Sequence, residues 1–494
     1  MIRPDEPFRL DAASFAARGD RVAVVGKTDS MTYAALGDRA QRVADALRGL
    51  GIVAGEPVGL VSSGRAFDEA AGLLGIVFQR AVVVPLDAMA PPARWAAIAR
   101  ARGARVFIHD EPARALVEKA GELLGTGLSR VCLNGTGDVI EALRGETQAP
   151  PSPMDLGPAC ILHTSGTTGG PKPVPITWAG LDAFTAFMIH LVGLSEQDRV
   201  LRVAELVFDL SWFDHVATWR AGAALCTMAR RDLASGKALL TAMKTLEPTV
   251  VYGVPSMFMK LATVCGETDL LPAPRAILYA GEVFPPRELW GFAKKVPESR
   301  IWNLYGPTET NVCTFYEVER DKLDGHAETP IGLACPYARS WLLDENDPTR
   351  VIAGEGIGEL VIEGPTTVNG GPYRTGDRIE RKADGLYYFR GRIDRMVKIR
   401  GYRVEPGEVE AALGKHAAVR QAAVIVHDDE RLGKTLRAFT AMGQHAAGVD
   451  ERELRGFLAE VLPGYMVPER IVLLDELPRT VTGKVDYRAL EERG

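Results

Sequence analysis

The segment LHTSGTTGGPKPVP, residues 162 to 175, sets seven Gly, Ser or Thr and a single Lys between an apolar run and a segment of helical period. Glycines let backbone N–H groups converge on an anion without interference from a Cβ, and Ser and Thr hydroxyls add donors. Placed ahead of a helix, such a loop reads as a phosphate cradle. It is not the GxxxxGK loop followed by Ser or Thr. Counted from Gly166, Pro171 removes a backbone donor, and Pro173 stands where a hydroxyl would hold Mg²⁺. A P-loop NTPase is thereby disfavoured; taken alone, the loop is either another kind of phosphate cradle or a surface turn.

The 494 residues, 46% of them hydrophobic, suffice for roughly two to four globular domains with a large buried core. A formal charge of −6 argues against a protein that wraps nucleic acid. The six cysteines form no CxxC pair and the eight histidines no HExxH, so neither structural zinc nor a disulfide framework is expected. The first twenty residues lack the basic end and apolar core of a signal peptide, and no apolar run approaches the roughly 18 residues of a membrane span. The expectation is a cytoplasmic enzyme with no nucleic-acid or membrane partner.

From about 20 to 340 short apolar runs such as EPVGLVSS (56–63), AVVVPLD (81–87) and TVVYGVP (249–255) alternate with helical stretches such as 32–51 and 234–248. This alternation predicts parallel sheets covered by helices, an α/β class. Residues 330 to 390 read as a small β-rich subdomain of short strands broken by Gly, Pro and Asp. A fresh strand and helix series then predicts a division into 1–393, the core, and 394–494, a small α+β C-terminal domain.

Four further motifs follow the loop in order: NLYGPTET (303–310), YRTGD (373–377), GRIDRMVKIRGYRVEPGEVE (391–410) and TVTGKVDY (480–487). Together the five resemble the adenylate-forming superfamily, and within it the adenylation domains of nonribosomal peptide synthetases and their free-standing relatives. The resemblance spans the chain from MTYAAL at 31 to Lys484. It implies ATP and Mg²⁺ as cofactors, a large α/β part with a β subdomain, and a mobile C-terminal domain.

Carried over motif by motif, the resemblance assigns Thr164, Ser165, Gly166, Thr167, Thr168, Gly169 and Lys172 to the ATP phosphates. Tyr305 would lie against adenine, with Gly281, Asn303, Gly306 and Thr308 shaping that pocket. Glu309 would contact Mg²⁺, which takes few protein carboxylates and fills its shell with phosphate oxygens and water. Asp377 would hold the ribose hydroxyls with Arg392 as companion, and Lys398 would serve the nucleotide. Asp394 is implied as hinge, Gly401 as lining for a thiol-bearing arm, and Lys484 as the catalytic ammonium bridging the attacking carboxylate and the α-phosphate. Two departures are Pro173, where a Gly is usual, and Tyr487, where an Arg is common.

VFDLSWFDH, residues 207 to 215, resembles the segment whose Asp clamps an amino acid's α-ammonium, so Asp209 takes that role. Aryl- and fatty-acid-activating relatives lack this carboxylate, which unpaired would cost several kcal/mol to bury. Leu210, Phe213, Gly253, Leu278, Ala280, Leu304, Val312 and Cys313 would line the rest of the pocket. The lining is similar to that of L-proline:carrier-protein ligases, with extra bulk at Phe213 and missing bulk at Gly253. A proline-sized or other small aliphatic or cyclic amino acid is expected.

The chain ends ten residues after Lys484, so the acceptor thiol is expected on the phosphopantetheine of a separate carrier protein. The six cations between 390 and 403, set against Asp394, offer that acidic partner a docking face. The alternatives are an acyl- or aryl-CoA synthetase and a nucleotide-binding scaffold without turnover.

Overall fold

The computed structural model describes residues 10–493 except 126, 146–156, 167–169, 234, 267–268, 400, 430–432, 444–447 and 480–484. Strands and helices alternate as the periodicity requires, and they build two large sheets with helices between them and on both outer faces.

The seven-stranded sheet places Ser129–Leu133, Val106–Asp110, Pro57–Val61, Val82–Leu86 and Cys160–Thr164 side by side and parallel, with an antiparallel strand at each edge. In the nine-stranded sheet the parallel run ends with Val250–Gly253, Ala276–Tyr279 and Arg300–Tyr305, followed by antiparallel Thr314–Glu317. Alternate residues of these strands face opposite layers. Tyr252 and Leu278 join the cluster between the two sheets, whereas Val251, Ile277 and Tyr279 pack under the outer helices Gly236–Leu246, Pro255–Thr263 and Pro286–Lys295. That same alternation delivers the pocket-side residues of successive strands to one place.

Helix Ala66–Phe78 lies between the sheets and is buried on every face from Asp68 to Val77. Such a helix admits only small residues where a neighbour crosses it. A Cβ on Gly75 would stand 2.4 Å from Val43 Cγ1 and 2.5 Å from Val43 Cβ on helix Tyr33–Gly49.

The β-rich part is a five-stranded antiparallel sheet within Arg339–Arg392. Beyond it come the hairpin Val397–Ile399/Tyr402–Val404 and a three-stranded sheet packed on helices Pro406–Leu413 and Glu451–Ala459. No helix among the described residues is long and apolar enough to cross a membrane, and all six cysteines are free.

The crowding at Gly75 has a measurable sign. Gly75→Ala gains about 1 kcal/mol of helix propensity but meets an overpacking cost of about 1 to 3 kcal/mol. It is expected to lower the thermal unfolding midpoint. In helix Pro286–Lys295, a Cβ on Gly291 meets nothing within 4 Å, so Gly291→Ala is expected to raise it. A thermal melt of both variants checks the contrast.

Candidate active site

The phosphate loop grows from the edge of the seven-stranded sheet. Strand Cys160–Thr164 pairs antiparallel with Lys172–Ile176, and the Thr164–Lys172 pair closes the loop. Pro173 and Pro175 lie on the outermost strand of this sheet, where a missing N–H is tolerated. Gly166 is obligatory, since a Cβ there would stand 2.4 Å from the Gly170 carbonyl oxygen. Thr164 is buried, and its Oγ1 has no partner among the described residues. An unpartnered buried hydroxyl fits a phosphate oxygen. Thr167, Thr168 and Gly169 lie outside the described residues.

Lys172 reaches Glu309, with Nζ 3.0 Å from Oε1. Glu309 is 1% exposed, and its Oε2 accepts from Arg403 Nη1 at 2.8 Å. Burial pushes its carboxyl up, but Arg403 and Lys172 outweigh burial and hold it below the usual range. No group of three metal-ligating side chains occurs among the described residues. One buried carboxylate beside a phosphate cradle nonetheless fits Mg²⁺, whose remaining ligands come from phosphate and water.

Next to it strand Arg300–Tyr305 ends in the turn 306–313. Gly306 is again obligatory, because a Cβ would meet the Asn311 carbonyl oxygen at 1.6 Å. Asn311 adopts a left-handed φ of 52° and accepts no Cβ relief, while Thr308 accepts from its N–H through its carbonyl. Asn303 donates its amide to the Pro330 carbonyl at 2.8 Å, and Gly281 turns the neighbouring strand end at φ 89°.

The Tyr305 ring packs toward Phe389, with centroids 6.4 Å apart, and its hydroxyl donates to Asp377 Oδ2. Arg392 Nη1 donates to Asp377 Oδ1 at 2.6 Å, and Nε and Nη2 both hold Asp394 at 2.6 Å. Arg392 therefore ties Asp377 to Asp394. Burial pushes the Asp377 carboxyl up despite Arg392. Each of its oxygens keeps a lone pair for a hydroxyl donor.

At the other end of the site Asp209 is half-buried, one helical turn before a π-turn at Phe213–Ala217. Burial pushes its carboxyl up, opposed chiefly by Lys398. Phe213 is buried and stands edge-on to Tyr252, with centroids 5.6 Å apart. Leu278, Ala280, Leu304 and Val312 share its cluster, and Leu210 packs against it. Gly253 is corrected by the structure: it pairs with Tyr279 on the face turned to the outer helices, where a Cβ would meet the Met257 Cε at 2.3 Å, and Tyr252 is the residue of this strand that faces Phe213.

Cys313 is corrected by the structure. It is buried in a different cluster, with Ile331, Leu360, Ile379 and Tyr387, because consecutive residues Val312 and Cys313 face opposite sides. It supports Tyr305 from behind.

The hairpin Val397–Ile399/Tyr402–Val404 enters this site from the C-terminal domain. Gly401 turns it at φ 83°, and a Cβ there would stand 3.5 Å from Val254 Cγ1. Tyr402 packs edge-on to Phe208 at 4.7 Å and stacks on Tyr465 at 3.7 Å. Lys398 is flanked by Asp377 and Asp209, and burial pushes its ammonium pKa down. Lys484 lies outside the described residues. Tyr487, three positions on, sits under the Arg395 guanidinium at 3.7 Å and reaches Glu410 Oε1 at 3.2 Å, anchoring helix Tyr487–Glu491.

The expected basic docking face is overturned. Arg390 pairs with Glu328 and Glu380, Arg392 with Asp377 and Asp394, Arg395 with Glu410, and Arg403 with Glu309. These charges are spent within the protein. Arg400 lies outside the described residues.

With this geometry in view, the likenesses to known proteins are concordant. The chain matches the AMP-binding enzyme family over residues 11–370 and the AMP-binding enzyme C-terminal domain over 408–484. It is 32% identical to an L-proline--(L-prolyl-carrier protein) ligase of Pseudomonas fluorescens, covering 97% of each chain. It is 36% identical to the probable non-canonical nonribosomal peptide synthetase CymA of Salinispora arenicola, over 97% of this chain but only 6% of that one. The fold superposes on the amide bond synthetase McbA of Marinactinospora thermotolerans with a TM-score of 0.83 at 22% identity, covering 98% of this chain and 99% of that one. The chain belongs to the AMP-binding enzymes, a family of AMP-forming adenylating ligases.

Proposed function

We propose that the protein activates an amino acid with ATP and Mg²⁺ and passes it to the phosphopantetheine thiol of a separate carrier protein. The observation that carries the amino-acid reading is Asp209, a half-buried acid next in the chain to Leu210, which packs on the apolar cluster of Phe213, Leu278 and Ala280. A fatty or aryl acid would bring it no cation of its own, leaving only Lys398, which it shares with Asp377. The carrier reading is supported by the Pseudomonas fluorescens relative, which this chain matches along nearly its whole length.

In the first half-reaction the substrate carboxylate attacks the α-phosphorus of ATP, giving aminoacyl-AMP and pyrophosphate. Bound Mg²⁺ would neutralise phosphate charge beside Glu309. The loop from Thr164 to Lys172 orients the phosphates, Asp377 with Arg392 orients the ribose, and Asp209 orients the ammonium. Lys484 supplies positive charge to the reacting oxygens in our reading, and positioning with electrostatics gives most of the acceleration. In the second half-reaction the thiolate attacks the acyl carbon, forming the thioester and releasing AMP. We place the domain division at Asp394, whose link to Arg392 makes it the pivot, and the thiol's path along Gly401. Gly401 beside Val254 supports this placement.

Phe213, edge-on to Tyr252, fills the apolar cluster next to Asp209, which favours proline or another compact aliphatic or cyclic amino acid. Amino-acid-dependent pyrophosphate exchange across the twenty amino acids tests the reading. Proline or a compact aliphatic residue is expected to rank first, and no deaminated analogue is expected to support exchange. Exchange with the deaminated acids instead would mark an acyl- or aryl-CoA synthetase. Asp209→Ala is expected to lower kcat/KM about 100-fold or more, the scale of a lost buried ion pair.

A further inference from the structure

The C-terminal domain reaches back onto the phosphate loop through an acid that no motif assigned. Glu408, the third residue of helix Pro406–Leu413, is 1% exposed. Its Oε1 lies 2.8 Å from Arg94 Nη1, and its Oε2 accepts the Gly166 N–H at 3.0 Å. Arg94 belongs to helix Pro92–Arg102 of the large part and is 8% exposed. Beside this contact the Ser165 hydroxyl accepts the Glu405 N–H at 2.8 Å and donates to the Arg403 carbonyl at 2.9 Å. The Arg403 guanidinium in turn faces Glu309.

The charges are those of the ligands in reverse ownership. A loop whose N–H and hydroxyl donors suit phosphate here holds a carboxylate, and a carboxylate suited to a cation here holds a guanidinium. Gly166 has one N–H, so it cannot serve Glu408 and a phosphate oxygen together. A buried carboxylate is tolerated there only because Arg94 and that N–H both answer it.

We propose that Glu408, held by Arg94, takes the place of pyrophosphate on the Gly166 loop, so that the domain orientation seen here and bound pyrophosphate exclude one another. The inference rests on the adenylation reading above, in which pyrophosphate leaves before thiol transfer, and names the residue pair that would enforce that order as the hairpin carrying Gly401 closes. Glu408 is a positioning residue, acting through the seating of the hairpin and touching neither acyl group nor thiol. A ligand that binds only the open form has an apparent Kd raised by the reciprocal of the open fraction. Removing the latch therefore tightens pyrophosphate binding while slowing loading, a pair of opposite effects that a merely structural role would not produce.

The test uses the full chain as wild type, Glu408→Gln and Arg94→Met. Calorimetry measures binding of inorganic pyrophosphate with Mg²⁺ in the absence of amino acid, and exchange and carrier loading are measured in parallel. Both variants are expected to bind pyrophosphate about fivefold or more tightly than wild type. Exchange is expected to persist within about threefold while loading falls about tenfold or more, because only the second half-reaction needs the latch. Unchanged or weaker pyrophosphate binding in both variants, or exchange and loading declining together, overturns the proposal. If wild type shows no exchange with any amino acid, the functional reading fails, and the calorimetric arm still decides the latch.

Discussion

One buried carboxylate joins the parts of this molecule. Glu309 receives Lys172 from the seven-stranded sheet and Arg403 from the C-terminal hairpin, and its backbone carbonyl accepts the Val368 N–H from the β-rich part. An acid this deep stays ionised only while cations face it. The site is therefore assembled by electrostatic necessity: whatever brings a cation to Glu309 also brings its own segment to the phosphate loop. Neighbouring Asp377 repeats the pattern through Arg392, which carries the connection on to Asp394.

The order of the site along the chain follows from sheet geometry. Parallel strands of one sheet end on the same edge, so Gly253, Tyr279 and Tyr305 close neighbouring strands near one another although they are far apart in sequence. The glycines at 166 and 306 allow the backbone to turn where any Cβ would strike a carbonyl oxygen. The π-turn after Asp209 widens the helix start at the place where the acid must face inward.

Much of this was legible in the sequence because its signals are local. Runs such as TVVYGVP and RAILYAG announce strands, and the motif glycines announce tight turns. What was not legible depends on residues distant in the chain. The cations of 390 to 403 looked like a free surface because Glu309, Glu328, Glu380 and Asp377 lie too far back to enter a local count. Cys313 was assigned to the pocket by position in a motif, yet one step of strand alternation turns it to the other side. Glu408 carries no signal of its own: one more acid on an acidic helix gains meaning only from Gly166.

The bond between Arg94 and Glu408 joins positions 314 residues apart. Recombining this chain with a relative at the linker between the two parts would separate the two halves of that pair. A chimaera inheriting one charge without the other would carry an uncompensated ion in its interior at the seam. Successful module exchange therefore demands that the helix Pro92–Arg102 and the helix Pro406–Leu413 travel from the same parent, although a breakpoint chosen by domain borders would never keep them together.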